Sequence, residues 1–162
     1  MPIDAVEIMT RNVITVSPDA TVAEAAKVMT EQAISAMPVC DKEGRLVGMV
    51  SEGDLMRPFG EKHALRRAWW LNLLAEGTEL APEFLDCLRM DHHRVRDLMT
   101  KEVVTVTETT SAAEIADLLS EHHIKRVPVV RDGEVVGIVS RANLIRTLAH
   151  KPEAIGAGKQ PA

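Results

Sequence analysis

Two similar turns carry the residues whose types and spacing could do chemistry. They read GMVSEGD, from Gly48 to Asp54, and GIVSRAN, from Gly137 to Asn143. In each, a serine follows an apolar run and opens a predicted helix, so backbone amides and the positive end of a helix dipole are available to a phosphate. The residue three positions later points back to the same helix end. A carboxylate there can accept hydrogen bonds from two adjacent hydroxyl groups, such as those of a ribose.

The two turns belong to an internal repeat that covers most of the chain. The segment from Met9 to Arg57 aligns with the segment from Met99 to Arg146, with one extra residue near Glu43 in the first copy. Of 48 aligned pairs, 19 are identical. This similarity predicts that both copies have the same fold.

Each copy predicts a β-α-β-β-α unit. Short apolar runs predict strands at 13–16, 37–40 and 46–50 in the first copy, and at 103–106, 127–130 and 135–139 in the second. A helix is predicted after Thr21 and after Ser111, because each is followed three residues later by a glutamate, as in a capping box. Ser51 and Ser140 are predicted to open a second helix in their copies.

A segment without a counterpart separates the two copies. Residues 61–76 predict a helix that is apolar on most of its circumference and includes Trp69 and Trp70. We expect these tryptophans to pack the insert onto the repeats or across a dimer, with stacking on a ligand or insertion into a partner's surface as the alternatives. The predicted organisation is a first motif at 1–58, a helical insert or linker at 59–95, a second motif at 96–150 and a flexible tail at 151–162.

Composition and charge exclude several classes of protein. The chain is 46% hydrophobic and 27% charged, as is usual for a folded protein. A net charge of −5 and only 2% aromatic residues argue against binding nucleic acid or an anionic membrane surface. The sequence contains no run of about 18 apolar residues and no secretory signal. We therefore expect a cytoplasmic location, with Cys40 and Cys87 reduced and buried.

No residue spacing typical of an enzyme is present in the sequence. It lacks a P-loop, a Rossmann glycine motif, a Ser-His-Asp grouping and a paired-carboxylate pattern. The histidine pairs at 92–93 and 122–123 have no cysteine or carboxylate at a zinc-binding spacing. We expect no catalytic residues, no catalytic cofactor and no metal site.

The repeat resembles the CBS domain family, named for cystathionine β-synthase, whose motifs in tandem form a Bateman module. The shared features are the Met-Thr pair before each copy, the Thr-Val pairs at 15–16 and 105–106, the Pro-Val pairs at 38–39 and 128–129, and the two turns. The resemblance implies an α+β fold in which two β-α-β-β-α motifs pack with pseudo-twofold symmetry, here with a helical insert between them. It also implies a homodimer.

The resemblance further implies a non-catalytic regulatory module of the energy-sensing kind. Clefts between the motifs would bind AMP, ADP or ATP, and the family also has members that bind S-adenosylmethionine or NAD. Binding would modulate a partner or an attached protein, whose identity the sequence does not reveal. The competing hypothesis is a structural or protein-interaction module with degenerate ligand sites, in which the insert docks a partner.

The resemblance assigns residues to two nucleotide sites. In the first, Asp54 would hold the ribose and Ser51 the phosphate side. The residues bordering the adenine would be Ile14, Thr15, Met37 and Pro38. The second site would comprise Val104, Thr105, Arg126, Val127, Pro128, Ser140, Arg141 and Asn143.

The two predicted sites differ in the residues that would hold a nucleotide. Asn143 replaces the carboxylate of Asp54 with a single acceptor oxygen, so it should hold a ribose less firmly. The second copy carries Arg126 and Arg141 where the first has an alanine and a glutamate. We hypothesise that the sites are inequivalent and that ATP or ADP favours the second. The alternative is that the aspartate and asparagine only cap helices and that the arginines are solvated surface charges.

Overall fold

The computed structural model describes residues 2–57 and 93–156, and they form a mixed α+β fold as predicted. The elements in chain order are α1 (Ala5–Ile8), α2 (Val22–Gln32), β1 (Ala36–Cys40), β2 (Leu46–Ser51), α3 (Glu52–Met56), α4 (Val95–Leu98), α5 (Ala112–Glu121), β3 (Arg126–Arg131), β4 (Glu134–Ser140), α6 (Arg141–His150) and α7 (Glu153–Gly156). The predicted helix at 61–76, with Trp69 and Trp70, lies outside the described residues, as does the second half of the predicted tail, 157–162. The first half of that tail, predicted to be flexible, includes helix α7.

The described residues form two compact units that do not coincide with the two repeats. The repeat-1 unit contains residues 15–43, 47–57 and 93–102. The repeat-2 unit contains residues 2–14, 44–46 and 103–156. The short helix that precedes each repeat, α1 or α4, therefore packs with the other repeat. The sequence motifs are contiguous, but the compact units exchange their leading segments.

The described residues form two two-stranded sheets, β1 with β2 and β3 with β4. Strands β3 and β4 are antiparallel, with Val127 opposite Val139 and an irregularity between Val129 and Val130. The turn between them places Asp132 and Gly133 at φ 52° and 80°. Two successive residues with positive φ suit the right-handed twist of a hairpin. The four strands predicted in these positions are thus confirmed to within a residue or two at their ends.

The prediction of strands at 13–16 and 103–106 is wrong. Each run reduces to a single parallel bridge, Val16 with Val39 and Val106 with Val129. The amide of Val16 donates to the carbonyl of Pro38, and its carbonyl accepts from Cys40. Extending this ladder by one step would require the backbone nitrogen of residue 38 to donate, and proline has no N–H. Pro128 stops the ladder in the second copy in the same way.

The long helices bury the faces that their apolar spacing predicts. Helix α2 buries Val22, Ala25 and Met29, and helix α5 buries Ala112, Ile115 and Leu119. Ala26 and Leu118, also predicted on these faces, are half-buried. Thr21 caps α2 with a complete capping box involving Glu24, and the hydroxyl of Ser111 accepts from the Glu114 amide. These caps satisfy amides that would otherwise lack a partner at the helix start.

A methionine side chain packs on the glycine of each turn. In the repeat-2 unit, Met9 contacts Gly137, and in the repeat-1 unit Met99 contacts Gly48. The threonine that follows each methionine pairs with the turn through two backbone hydrogen bonds. Thr10 with Ile138 gives distances of 2.9 and 3.0 Å, and Thr100 with Met49 gives 2.8 and 2.9 Å. The Met-Thr pairs therefore fix the leading segments to the strands that end in the turns.

We expect Gly48→Ala to destabilise the protein by about 1–3 kcal/mol, the usual cost of overpacking a tight contact. A β-carbon at Gly48 would lie 2.6 Å from the Met99 sulfur and 2.9 Å from the Thr100 carbonyl oxygen. Because that oxygen belongs to the backbone, a side-chain rotation cannot relieve the clash. Urea denaturation gives the free energy of unfolding.

Gly53→Ala is the matched control for this prediction. Its β-carbon would meet nothing closer than the Ser51 hydroxyl at 3.7 Å, inside helix α3. This change should raise the free energy of unfolding by about 0.5–1 kcal/mol, because alanine favours the helix. Equal effects at both glycines would contradict the packing role of Gly48.

Candidate functional site

The first turn is built around a buried carboxylate. Ser51 caps α3, and its hydroxyl accepts from the Asp54 amide at 3.2 Å. In return, Oδ2 of Asp54 accepts from the Ser51 amide at 2.9 Å. The other oxygen, Oδ1, accepts from the Arg57 guanidinium at 2.6 Å. Asp54 is only 9% exposed.

The second turn repeats the cap with a neutral side chain. The hydroxyl of Ser140 accepts from the Asn143 amide at 3.3 Å. Oδ1 of Asn143 accepts from both the amide and the hydroxyl of Ser140, each at 2.8 Å. Asn143 is half-buried, and it lines a groove beside α6.

The two turns differ in the acceptors that they leave for a ligand. A carboxylate has about four lone-pair positions, and two protein donors occupy only part of that capacity at Asp54. The carbonyl oxygen of Asn143 has two lone pairs, and Ser140 uses both. Asp54 can therefore still accept from a ribose hydroxyl, whereas Asn143 can approach such a hydroxyl only as a donor through its NH₂ group.

The residues predicted to border the adenine divide into buried and accessible sets. Met37, Pro38, Val127 and Pro128 are fully buried in β1 and β3. Thr15 and Thr105 are exposed, and Ile14 and Val104 are half-buried. Thr15 belongs to the same compact unit as Ser51 and Asp54, whereas Ile14 falls in the other unit. All eight residues predicted for the second site lie in the repeat-2 unit.

Positive charge is concentrated at the second turn. The amide of Arg141, the first residue of α6, donates to the Lys125 carbonyl at 3.0 Å, which brings two cationic residues to this helix start. The matching bond at the first turn runs from the Glu52 amide to the Ser35 carbonyl, at 2.9 Å. Arg126 is half-buried and has an interaction partner in the protein. A phosphate near α6 would thus meet cations, and one near α3 would meet a carboxylate.

No group of three or more histidine, cysteine, aspartate or glutamate residues could hold a metal ion within residues 2–57 and 93–156. Cys40 is half-buried rather than buried as predicted, because it ends β1. Burial raises the pKa of its thiol, and the adjacent Asp41 carboxylate raises it further. Cys87 lies outside the described residues. In the described part of the chain, no helix is long and apolar enough to cross a membrane.

Sequence reasoning missed Arg57 and Arg146, which occupy the same place in the two repeats. Arg57 pairs with Asp54, and Arg146 lines the groove with Asn143. The signal was available, because the alignment pairs these two identical arginines three residues after the aspartate and the asparagine. At that spacing on a helix, side chains share a face.

The chain belongs to the CBS domain family, whose model matches residues 5–61 and 95–150. Inosine-5'-monophosphate dehydrogenase of Methanocaldococcus jannaschii is 29% identical over 141 residues, covering 86% of this chain but only 22% of the enzyme.

Two solved structures are also similar to this chain. One is the CBS domain of a CBS domain containing membrane protein of Sphaerobacter thermophilus. It has a TM-score of 0.68 and 35% identity, covering 90% of this chain and 87% of that chain. The other is the Arabidopsis thaliana CBS-pair protein CBSX2 in complex with AMP. It has a TM-score of 0.68 and 28% identity, covering 91% of this chain and 96% of that chain. The resemblance seen in the sequence is confirmed.

We expect Asp54→Asn to keep the fold and Asp54→Ala to weaken it. The asparagine can still accept from the Ser51 amide, and the lost ion pair with a largely exposed Arg57 contributes no more than about 1 kcal/mol. The alanine leaves the half-buried Ser51 amide without its side-chain acceptor, at a cost of about 1–3 kcal/mol. Urea denaturation of both variants checks this, and similar losses would contradict the role given to the Ser51 bond.

Proposed function

We propose that this CBS pair is a non-catalytic regulatory module that binds adenine nucleotides of the AMP, ADP and ATP class. The observation that carries the proposal is the Ser51–Asp54 turn, where a buried carboxylate keeps acceptor capacity beside the start of a helix. The AMP complex of CBSX2, a relative with the same fold, supports it.

The two turns would bind different parts of a nucleotide best. Asp54 suits a ribose, because a carboxylate makes the stronger, charge-assisted bonds to hydroxyl groups. Arg126 and Arg141 suit phosphates, and Ser140 and Asn143 complete that turn. We therefore propose that AMP or adenosine favours the first turn and that ADP or ATP favours the second. S-adenosylmethionine and NAD are further candidate ligands, and NADH represents the dinucleotides in the binding panel.

Regulation of another protein or domain is the proposed role of this binding. The match to about a fifth of inosine-5'-monophosphate dehydrogenase supports it, because a CBS-containing region there accompanies an enzyme. We propose that the module acts on a partner or attached protein as a homodimer in the cytoplasm.

Isothermal titration calorimetry on protein freed of carried-over ligand tests the proposal, with AMP, ADP, ATP, S-adenosylmethionine and NADH as the panel. We expect micromolar binding of at least one nucleotide. Asp54→Asn should weaken AMP binding about tenfold, because it removes a charge-assisted bond while keeping the cap. Arg126→Ala should weaken ATP binding more than AMP binding.

Asp117→Asn is the matched control, because it makes the same chemical change at an exposed carboxylate on α5. It should leave every affinity unchanged. No heat from any ligand on the panel would overturn the proposal, and equal affinities in both sites would overturn the assignment of ligands to turns.

A second candidate function is a structural or protein-interaction module without ligands. The observation that favours it is that Asp54 and Asn143 are both already bonded within their caps. In this case the segment at 59–95 would dock a partner. Asp54→Ala and Asn143→Ala would then lower the melting temperature, and nucleotides would not raise it in the unmodified protein.

A further inference from the structure

A groove of about 360 Å³ lies beside helix α6 in the repeat-2 unit. One wall carries Ile3 and Ile8 from the N-terminal segment, and the other carries Asn143, Arg146 and His150 from α6, with Lys151 at its end. This volume is within the range of small-molecule sites, which combine apolar surface with a few polar groups.

Arg146 is a cation of this groove that has no ion-pair partner among the described residues. It is exposed, and no residue in ranges 2–57 and 93–156 forms an ion pair or a side-chain hydrogen bond with it. Its counterpart in the first repeat, Arg57, donates to Asp54 at 2.6 Å. In the part of the chain that the structure describes, the arginine at this position is therefore paired in the first repeat and unpaired in the second.

The change from aspartate to asparagine accounts for this difference. Asn143 carries no charge, and Ser140 already occupies its only acceptor oxygen. The oxygen that would receive Arg146 is therefore missing from the second repeat. Asn143, which makes the second turn a weaker ribose site, therefore leaves the guanidinium of Arg146 available to bind an anionic ligand.

The charges along the groove favour an anion. Arg146 and Lys151 are cationic, and Glu7 is the carboxylate on the lining, so two positive charges face one negative charge. Glu7 is also held by the Asp4 amide, from which its Oε2 accepts at 2.8 Å. His150 and Lys151 lie at the C-terminal end of α6, where cations stabilise the helix dipole. Arg146 precedes that last turn, so stabilisation of the helix dipole does not explain why a cation is found at this position.

We propose that this groove binds a small oxyanion, a phosphate or carboxylate group, through Arg146 and Lys151, with the apolar part of the ligand against Ile3 and Ile8. Arginine is suited to this role, because its planar guanidinium bonds two oxygens of such a group at once. The proposal does not depend on adenine recognition, because no part of the groove has to hold a base.

Calorimetric titration of inorganic pyrophosphate into the full chain at low ionic strength tests the proposal. We expect one binding event, and Arg146→Ala should weaken it about fivefold or more, as expected for the loss of a charge-assisted pair at a solvent-accessible site. Asn143→Asp should weaken it similarly, because the new carboxylate would pair with Arg146 as Asp54 pairs with Arg57.

Arg131→Ala is the matched control, because this exposed arginine of the same unit is already paired with Glu108, at 2.5 and 2.8 Å. Its removal should leave pyrophosphate affinity unchanged. Absence of binding in the unmodified protein, or unchanged binding in Arg146→Ala, would overturn the proposal. Loss of binding in Arg141→Ala alone would also overturn it and would place the anion at the helix start instead.

The oxyanion has two sources, a free anion or the phosphate tail of a nucleotide held at the Ser140 turn. If ADP weakens pyrophosphate binding and adenosine does not, the groove takes the tail of the nucleotide. If neither competes, the groove takes an independent anion. Because pyrophosphate has no base or ribose, this test can succeed even if the adenine nucleotide proposal fails.

Discussion

The docking of each Met-Thr pair on a glycine turn is the contact on which the rest of the structure depends. Met9 covers Gly137, and Met99 covers Gly48, at a distance that leaves no room for a side chain on either glycine. Two backbone hydrogen bonds beside each contact fix its register. The strand that leads into each turn is held in this way, so the serine and its partner three residues later begin the following helix in a defined position.

A second constraint comes from the two prolines, which keep the sheets small. Pro38 and Pro128 are fully buried in β1 and β3, and each offers a carbonyl but no N–H to the neighbouring segment. The ladder beside them therefore stops after one bridge. The residues before that bridge, including Thr15 and Thr105, stay out of the sheet, and both threonines are exposed. The backbone of these residues is therefore not used in strand pairing.

Much of this architecture could be predicted from the sequence, because local signals and the repeat agree. The caps at Thr21 and Ser51 were visible from spacing alone, and so were the buried faces of α2 and α5. The single bridges at Val16 and Val106 could not be predicted in this way. The β propensity of a run of residues does not take account of a proline in the neighbouring strand that lacks an N–H donor. The half-buried position of Cys40 depends on where β1 ends.

The candidate site was predictable in residue type but not in bonding. Spacing placed Asp54 and Asn143 at helix starts, where the structure also has them. Which lone pairs are already occupied depends on side-chain geometry, which the spacing of residues does not give. This occupancy leaves Asp54 able to accept a hydrogen bond from a ligand and Asn143 able only to donate one. The exchange of leading segments between repeats could not be derived from the motif boundaries, because it is a property of long-range packing.

That exchange bears on how such a chain could have arisen. A chain with a single repeat would carry a Met-Thr segment but no opposite turn to receive it. Two copies of such a chain would complete each other by exchanging that segment, as the two repeats do here. The ancestor of a duplicated chain of this kind would then have been a pair of identical molecules. Gene duplication would have joined two partners that already depended on each other, turning an association that varied with concentration into a permanent one.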